Sequence, residues 1–338
     1  SFSNFFNFFF NLIVEADLRQ KKKIIEFGKL FIQHSFKKLI NDQNNKVLFI
    51  CTRDIFKSMK FSAKFKEKKF QTILISKLDF PYKIKNEKSF FDETITFKSY
   101  ISIYWLTKFL KVKIIYFNCE MFDLHVFKFL RYDSNVLKIA DFSDQTWCFL
   151  QDRNALEDFF GANKVKLDQH YQKLIIMNFD IIYHNWSPEF SQELKAFFKL
   201  NSKDSSKIKH IQHNVVTDRL QNFYTKKKNR NSLVWAGQIV AQNLPERIFP
   251  AKSLSNTFYD LSKNNFNVHA FQNPQFSKNL SFAENFTPYF ELEKKKLLTL
   301  CRSGIDYTEL NNTLKKFDFG LILFNSTKLN CHSKIKLK

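Results

Sequence analysis

Glycine is nearly absent from this chain: five in 338 residues, beside six prolines and five cysteines. The cysteines, Cys51, Cys119, Cys148, Cys301 and Cys331, are odd in number and far apart, with no Cys-x-x-Cys pair. That spacing excludes a disulfide framework and a zinc knuckle, and it suits the reduced thiols of a cytoplasmic protein. His210 and His213 lie three apart, but no further ligand is spaced to join them, so no metal and no cofactor is expected. No run reaches the ~18 apolar residues of a membrane span. The nearest, Phe5 to Val14 (FFNFFFNLIV), is broken by asparagines and followed by the basic Arg19 to Lys23. It reads as an opening helix packed on the body, or as an aromatic and basic edge that rests on anionic lipid. Acidic residues are also short, 32 against 54 lysines and arginines, a formal charge of +22. The imbalance favours phosphate-bearing substrates, an anionic membrane surface or nucleic acid as partners. Part of it has a plainer source, because 43 phenylalanines with abundant Lys, Asn and Ile are what an AT-rich coding sequence produces. The lysine runs at 21–23, 226–228 and 294–296 carry no interleaved aromatics, so a nucleic-acid partner is not expected.

What the chain does have is alternation of short apolar runs with helical spacing. Its length suits two α/β domains of roughly 150 residues each. Lys46 to Thr52, Phe70 to Ser76, Val112 to Asn118, Val136 to Ala140, Phe179 to His184 and Lys207 to Asn214 read as about six parallel strands. Helices are expected between them at Asp54 to Lys69, Tyr100 to Leu110, Phe122 to Arg131, Ala155 to Phe160, Lys164 to Asn178, and Ser187 to Lys199 with Pro188 at its first position. Residues 215–232, containing TKKKNRN, lack apolar periodicity and read as a basic linker. A second α/β unit then opens with the strand Leu233 to Ala236, followed by a helix Lys252 to Ser262, a strand Phe266 to Phe271, a charged segment Glu291 to Lys296 and a strand Leu297 to Arg302. The expected division is an aromatic segment 1–45, a Rossmann-like domain 46–214, the linker 215–232 and a second Rossmann-like domain 233–338.

One stretch organises the rest: Gly304 to Asn325, GIDYTELNNTLKKFDFGLILFN. Asp306 with Glu309 forms a capping-box pattern, Leu310, Leu314 and Phe317 recur at helical spacing, and Phe319 to Phe324 is an apolar run suited to a strand covered on both faces. Together with LVWAGQI at the start of the second unit and HIQHNVVTDRL before the linker, this stretch resembles the GT-B glycosyltransferases, especially their retaining nucleotide-sugar family. The resemblance covers the second half well and the first half by element order. It implies two Rossmann-like domains, a nucleotide-diphosphate sugar as donor, and a polysaccharide or lipid-linked acceptor. Localisation would be cytoplasmic, with a basic surface suited to the inner face of the membrane.

Candidate site residues follow from strand ends, where parallel sheets present backbone N–H groups to ligands. On the donor side, Gly237 allows close approach of a diphosphate, Gln238 adjoins it, and Arg247 or Lys252 neutralises the leaving group without a metal. Lys328, in NSTKL, matches a family lysine. Gly237 reads equally as a plain tight turn. On the acceptor side, ADFSDQTW offers Asp141 and Asp144 as catalytic candidates for acceptor contact or general base, or alternatively as helix caps. The first strand ends in CTRD without the glycine-rich loop of the family, yet Arg53 could meet an anionic acceptor there. His184 stands at a strand end, either facing the ligand or satisfied in the core. The family carries a ribose-binding glutamate on a helix beyond the position corresponding to Lys338, so a truncated second domain and poor activity of this polypeptide are expected. Two other readings stay open: a sugar-nucleotide epimerase of the same fold, and a basic RNA-binding structural protein.

Overall fold

Each of the two sheets in this chain repeats one strand order. The computed structural model describes residues 45–52, 55–77, 90–97, 103, 106–107, 110–130, 135–142, 153–184, 188–211, 231–236, 254–271, 287–302 and 307–321. The first sheet comprises β1 (Lys46–Cys51), β2 (Gln71–Lys77), β3 (Glu93–Phe97), β4 (Ile114–Cys119), β5 (Leu137–Phe142), β6 (Ile181–His184) and β7 (Ile208–His210), ordered β3-β2-β1-β4-β5-β6-β7. The second comprises β8 (Ser232–Ala236), β9 (Asn267–Phe271), β10 (Thr299–Cys301) and β11 (Phe319–Gly320), ordered β10-β9-β8-β11. Every pairing is parallel. In both sheets the chain steps outward over three strands and then returns to the far side of the first, which is the Rossmann-like order 3-2-1-4. The switch points fall between β1 and β4 and between β8 and β11. The chain is thus α/β with two Rossmann-like sheets.

The helices are α1 (Phe56–Glu67), α2 (Arg153–Phe160), α3 (Ala162–Asn178), α4 (Pro188–Phe198), α5 (Ser202–Ser206), α6 (Leu254–Lys263), α7 (Thr287–Lys294) and α8 (Tyr307–Leu314). β1 is buried along its whole length, because helices cover both faces of a parallel sheet and leave no place for polar alternation. Leu48, Ile50, Ile115 and Phe117 pack on one face with Ile175, Ile176 and Leu194. Val47, Phe49, Cys51 and Tyr116 pack on the other with Ile55 and with Met59 of α1. Leu233, Trp235, Phe258 and Tyr289 belong to a separate core around the second sheet.

Three expectations are corrected. β3, in the sequence ETITF, was not expected; it lies at the edge of its sheet, where polar alternation is tolerated. The expected helix Phe122 to Arg131 is a six-residue 3₁₀ helix, Leu124–Phe129, preceded by Phe122 at φ 70°. β11 was expected to be covered on both faces, yet Phe319 and Gly320 are exposed, since β11 pairs only with β8 at the end of the described sheet. The Asp306 cap lies outside the described residues.

Scarce glycine leaves a mark on the helix ends. Lys69, Lys199, Asn265 and Lys296 occupy left-handed positions, at φ 63°, 50°, 65° and 56°. Each closes a Schellman turn: Phe70 N–H donates to Phe65 O, Leu200 to Lys195 O, Phe266 to Leu261 O and Leu297 to Leu292 O. Glycine is the usual residue there because it has no Cβ to clash. Only Gly161, between α2 and α3 at φ 91°, is a described glycine in that region.

The amino edge of each sheet is closed by a repeated clamp. An aspartate directly before a strand donates its N–H to a carbonyl of the neighbouring strand and accepts that same residue's N–H on its carboxylate. Asp92 does so with Thr72 (3.0 and 2.8 Å), Asp180 with Lys138 (3.0 and 2.8 Å) and Asp318 with Ser232 (3.1 and 3.0 Å). The side-chain oxygens of Thr72 and Ser232 add a further bond to the same carboxylates. Asp318, the aspartate of the FDFG phrase, therefore works at the end of the sheet opposite to the ligand-facing one.

Candidate functional site

With the amino edges clamped, chemistry is sought at the carboxyl ends of the strands. In the first sheet β1 leads to Thr52 and β4 leads through Asn118 and Cys119 to Glu120. These two strands are neighbours, Ile50 paired with Phe117, so both ends border the switch point. Asn118 is fully buried and donates from Nδ2 to Glu120 Oε1 at 3.1 Å. Glu120 itself is only half-buried. The turn that follows is held from α3: Asp168, buried, accepts the Phe122 N–H at 2.7 Å and the Gln172 Nε2 at 2.8 Å. Asp123 N–H donates back to Glu120 O at 3.1 Å. The Phe122 ring lies against Phe160, with Lys164 Nζ 4.4 Å above its face. A bulky residue at positive φ is strained, and such strain persists only where surrounding contacts over-determine it. Thr52 Oγ1, by contrast, is buried and has no hydrogen-bond partner among the described residues.

Of the candidates read from the sequence, two lie within the described residues. Asp141 was expected just beyond a strand ending at Ala140. The strand runs on through Phe142, so Asp141 sits inside the sheet and is fully buried. Register explains its company, for Asn118, Asp141 and Tyr183 are side by side on β4, β5 and β6 and share one face. Asp141 Oδ2 accepts from Tyr116 Oη at 2.8 Å and from Tyr183 Oη at 2.6 Å, and the two phenol oxygens touch. Phe61 of α1 covers both rings, at 5.2 and 5.4 Å. Burial, with the Asp141 charge second, pushes both tyrosine hydroxyls well above the ordinary phenol range. Asp141 thus anchors a sealed polar group beneath α1, and it has no open side from which an acceptor could be deprotonated.

His184 ends β6, fully buried, with Nε2 2.6 Å from Ser191 Oγ and its ring against Phe190 and His210. It belongs to the face that packs against α4. Arg53, Asp144, Gly237, Gln238, Arg247, Lys252 and Lys328 lie outside the described residues. Cys119 is sealed at the end of β4, and burial, followed by the charges of Asp141, Glu120 and Asp168, raises its thiol well above the usual range. It is no nucleophile. Among the described residues no cluster of His, Cys, Asp and Glu could hold a metal, and no helix is long and apolar enough to cross a membrane.

Thr52 and Glu120, the residues that follow β1 and β4 at the switch point, draw no expectation from the sequence. Their signal was present in IIYFNCE and LFICT, where an apolar run gives way to polar residues at the strand end. What was absent was the knowledge that β1 and β4 are neighbours.

In the second sheet, β8 ends at Ala236 and Gly237 follows it in sequence. β11 lies beside β8, with Phe319 paired to Leu233 and Gly320 to Val234. The helix-to-strand phrase therefore delivers its strand to the side of β8 at which the strand order reverses.

No protein-family profile and no curated protein matches the chain. Solved structures do. Apo UGT2 of Phytolacca americana aligns at 8% identity and a TM-score of 0.45, over 85% of this chain and 83% of that one. The wall teichoic acid polymerase TagF aligns at 10% and 0.45, over 92% and 76%. A sialyltransferase GT-B domain from Photobacterium damselae aligns at 12% and 0.43, over 85% and 88%. The fold assignment above rests on the strand order of the chain itself.

Proposed function

We propose that this chain is a GT-B glycosyltransferase that moves a sugar from a nucleotide-diphosphate donor to a polysaccharide or lipid-linked acceptor. The observation that carries the reading is the doubled 3-2-1-4 order, with the Gly304–Asn325 stretch supplying the strand beside β8. A nucleotide diphosphate suits a switch-point crevice, where strand ends and helix N-termini turn N–H groups outward. In this reading the acceptor-side unit spans 46–214, the linker 215–232 and the donor-side unit 233–338. Gly237 and Gln238 border the diphosphate, Arg247, Lys252 and Lys328 neutralise it, and Arg53 and Asp144 stand on the acceptor side. Phosphate neutralisation by cations requires no metal. The basic excess would hold the protein at the cytoplasmic membrane face, where lipid-linked acceptors lie.

Titration calorimetry with UDP, GDP, dTDP and CMP tests the reading. One nucleotide should bind with 1:1 stoichiometry. Arg247→Ala or Lys252→Ala should weaken that binding about tenfold, equivalent to roughly 1.4 kcal/mol. Absence of any saturable nucleotide site, together with RNA binding that falls steeply with salt, would overturn it in favour of a nucleic-acid-binding protein.

A further inference from the structure

We infer that the outward line of α3 is a docking surface for an anionic lipid bilayer, with Leu167, Leu174 and Met177 entering the interface and Lys164, Lys166 and Lys173 meeting its phosphates. The inference deepens the glycosyltransferase reading by naming the face that meets the membrane, and it rests on that reading for a lipid-linked acceptor.

α3 carries two apolar lines where a surface helix needs one. Val165, Asp168, Gln172, Ile175 and Ile176 are buried, and Ile175 and Ile176 belong to the core of the first sheet. Leu167, His170, Leu174 and Met177 recur at helical spacing, which sets them on a single line along the opposite side. Leu167 is 52% and Met177 51% exposed, the highest values among the large hydrophobic side chains described. Leu174 between them is half-buried. Large apolar side chains held in water add nothing to the fold, and a line of them on one helix marks a surface that meets a partner.

Charge decides what that partner is. α3 has one acid, Asp168, and it is buried, whereas Lys164, Lys166 and Lys173 are exposed beside the line. Lysine stems lie along apolar surface while the ammonium stays in water, so apolar residues flanked by lysines suit a helix seated at an anionic lipid interface. A second copy of the chain is disfavoured, since an isologous contact sets the same lysines against one another. The placement of α3 fits a lipid-linked acceptor. Its first turns lie at the ligand-facing end of the sheet, where Asp168 holds the turn after β4 and Lys164 and Phe160 meet Phe122. Its last turn leads to Asp180 at the amino edge. With α3 lying in the plane of the bilayer, the strand ends open beside the lipid.

The test is co-sedimentation of the full chain with vesicles of phosphatidylserine in phosphatidylcholine at about 0.1 M salt. Leu167→Gln combined with Met177→Gln leaves every charge in place and should weaken vesicle binding roughly tenfold, with Tm unchanged because both side chains face water. Tyr259→Gln, at an exposed ring on α6, should leave binding within about twofold. Lys166→Gln combined with Lys173→Gln should also weaken binding roughly tenfold. The same loss of charge at the end of α7, Lys294→Gln with Lys295→Gln, should cost no more than about threefold. Equal losses from the two lysine pairs make the effect one of total charge and overturn the inference. So does a Leu167→Gln, Met177→Gln protein that binds like wild type, and so does a wild type that dimerises in ultracentrifugation and becomes monomeric in that variant. The apolar and lysine pairs are independent, so a folding failure in one leaves the other to decide. Nucleotide binding is read separately by calorimetry: a wild type that seats on vesicles through α3 yet binds no nucleotide keeps the docking face and sinks the glycosyltransferase reading.

Discussion

Asp141 shows how a single residue can carry a catalytic signature and serve the core. Removing its carboxylate leaves two buried phenols without their acceptor, and each orphaned group costs about 1–3 kcal/mol. Asp141→Ala should therefore lower the urea unfolding free energy by roughly 2–5 kcal/mol, whereas Tyr116→Phe should cost about 1 kcal/mol. The same group makes stability depend on alkaline pH. Both tyrosine hydroxyls are held above their ordinary value of about 10. The folded state thus keeps protons that the unfolded chain releases. Their contribution is complete below pH ~10 and is lost as pH rises from there toward the folded values. Urea midpoints measured from pH 8 to 11.5 should fall above pH ~10, and the fall should be shallower in Tyr116→Phe. A flat profile would show that these phenols are not the retained protons.

At the level of elements, the same composition that starves the chain of glycine leaves lysine in left-handed turns. Lys69→Gly, Lys199→Gly and Lys296→Gly should each stabilise the fold by roughly 0.5–1 kcal/mol, because the Cβ clash at positive φ disappears. The same change at Lys173, exposed in the middle of α3, should destabilise by about 1 kcal/mol. Opposite signs for one substitution, read by chemical denaturation, separate local backbone geometry from loss of charge. The aspartate clamps make a second prediction. Asp318→Ala removes the acceptor of the Ser232 N–H and should cost roughly 1–3 kcal/mol, with faster amide exchange in β8 and β11 and no change in β1 or β2.

For the whole molecule, a charge of +22 distributed over the chain predicts salt-sensitive adsorption to membranes. Vesicles containing phosphatidylserine should retain the protein at low ionic strength and release it as salt approaches 0.5 M, since attraction of about 1 kcal/mol per basic residue near the surface is screened within a Debye length. Neutral vesicles should not retain it. Much of the fold was legible before any coordinates. The runs KVLFIC, IIYFNC and SLVWA announce strands buried on both faces, and the helical spacing of 307–314 announces α8, because burial and periodicity are local properties of sequence. β3 was not legible, since ETITF at a sheet edge has polar neighbours and no continuous apolar run. The candidate site was less legible still. Asp141 looked like a loop carboxylate until register set it between Tyr116 and Tyr183. The sequence by itself determined that this is a basic α/β chain with alternating strands and helices, because composition and period are written residue by residue. Only the tertiary structure decided that Asp141 is sealed between Tyr116 and Tyr183, because that depends on strand order and on which helix covers which face.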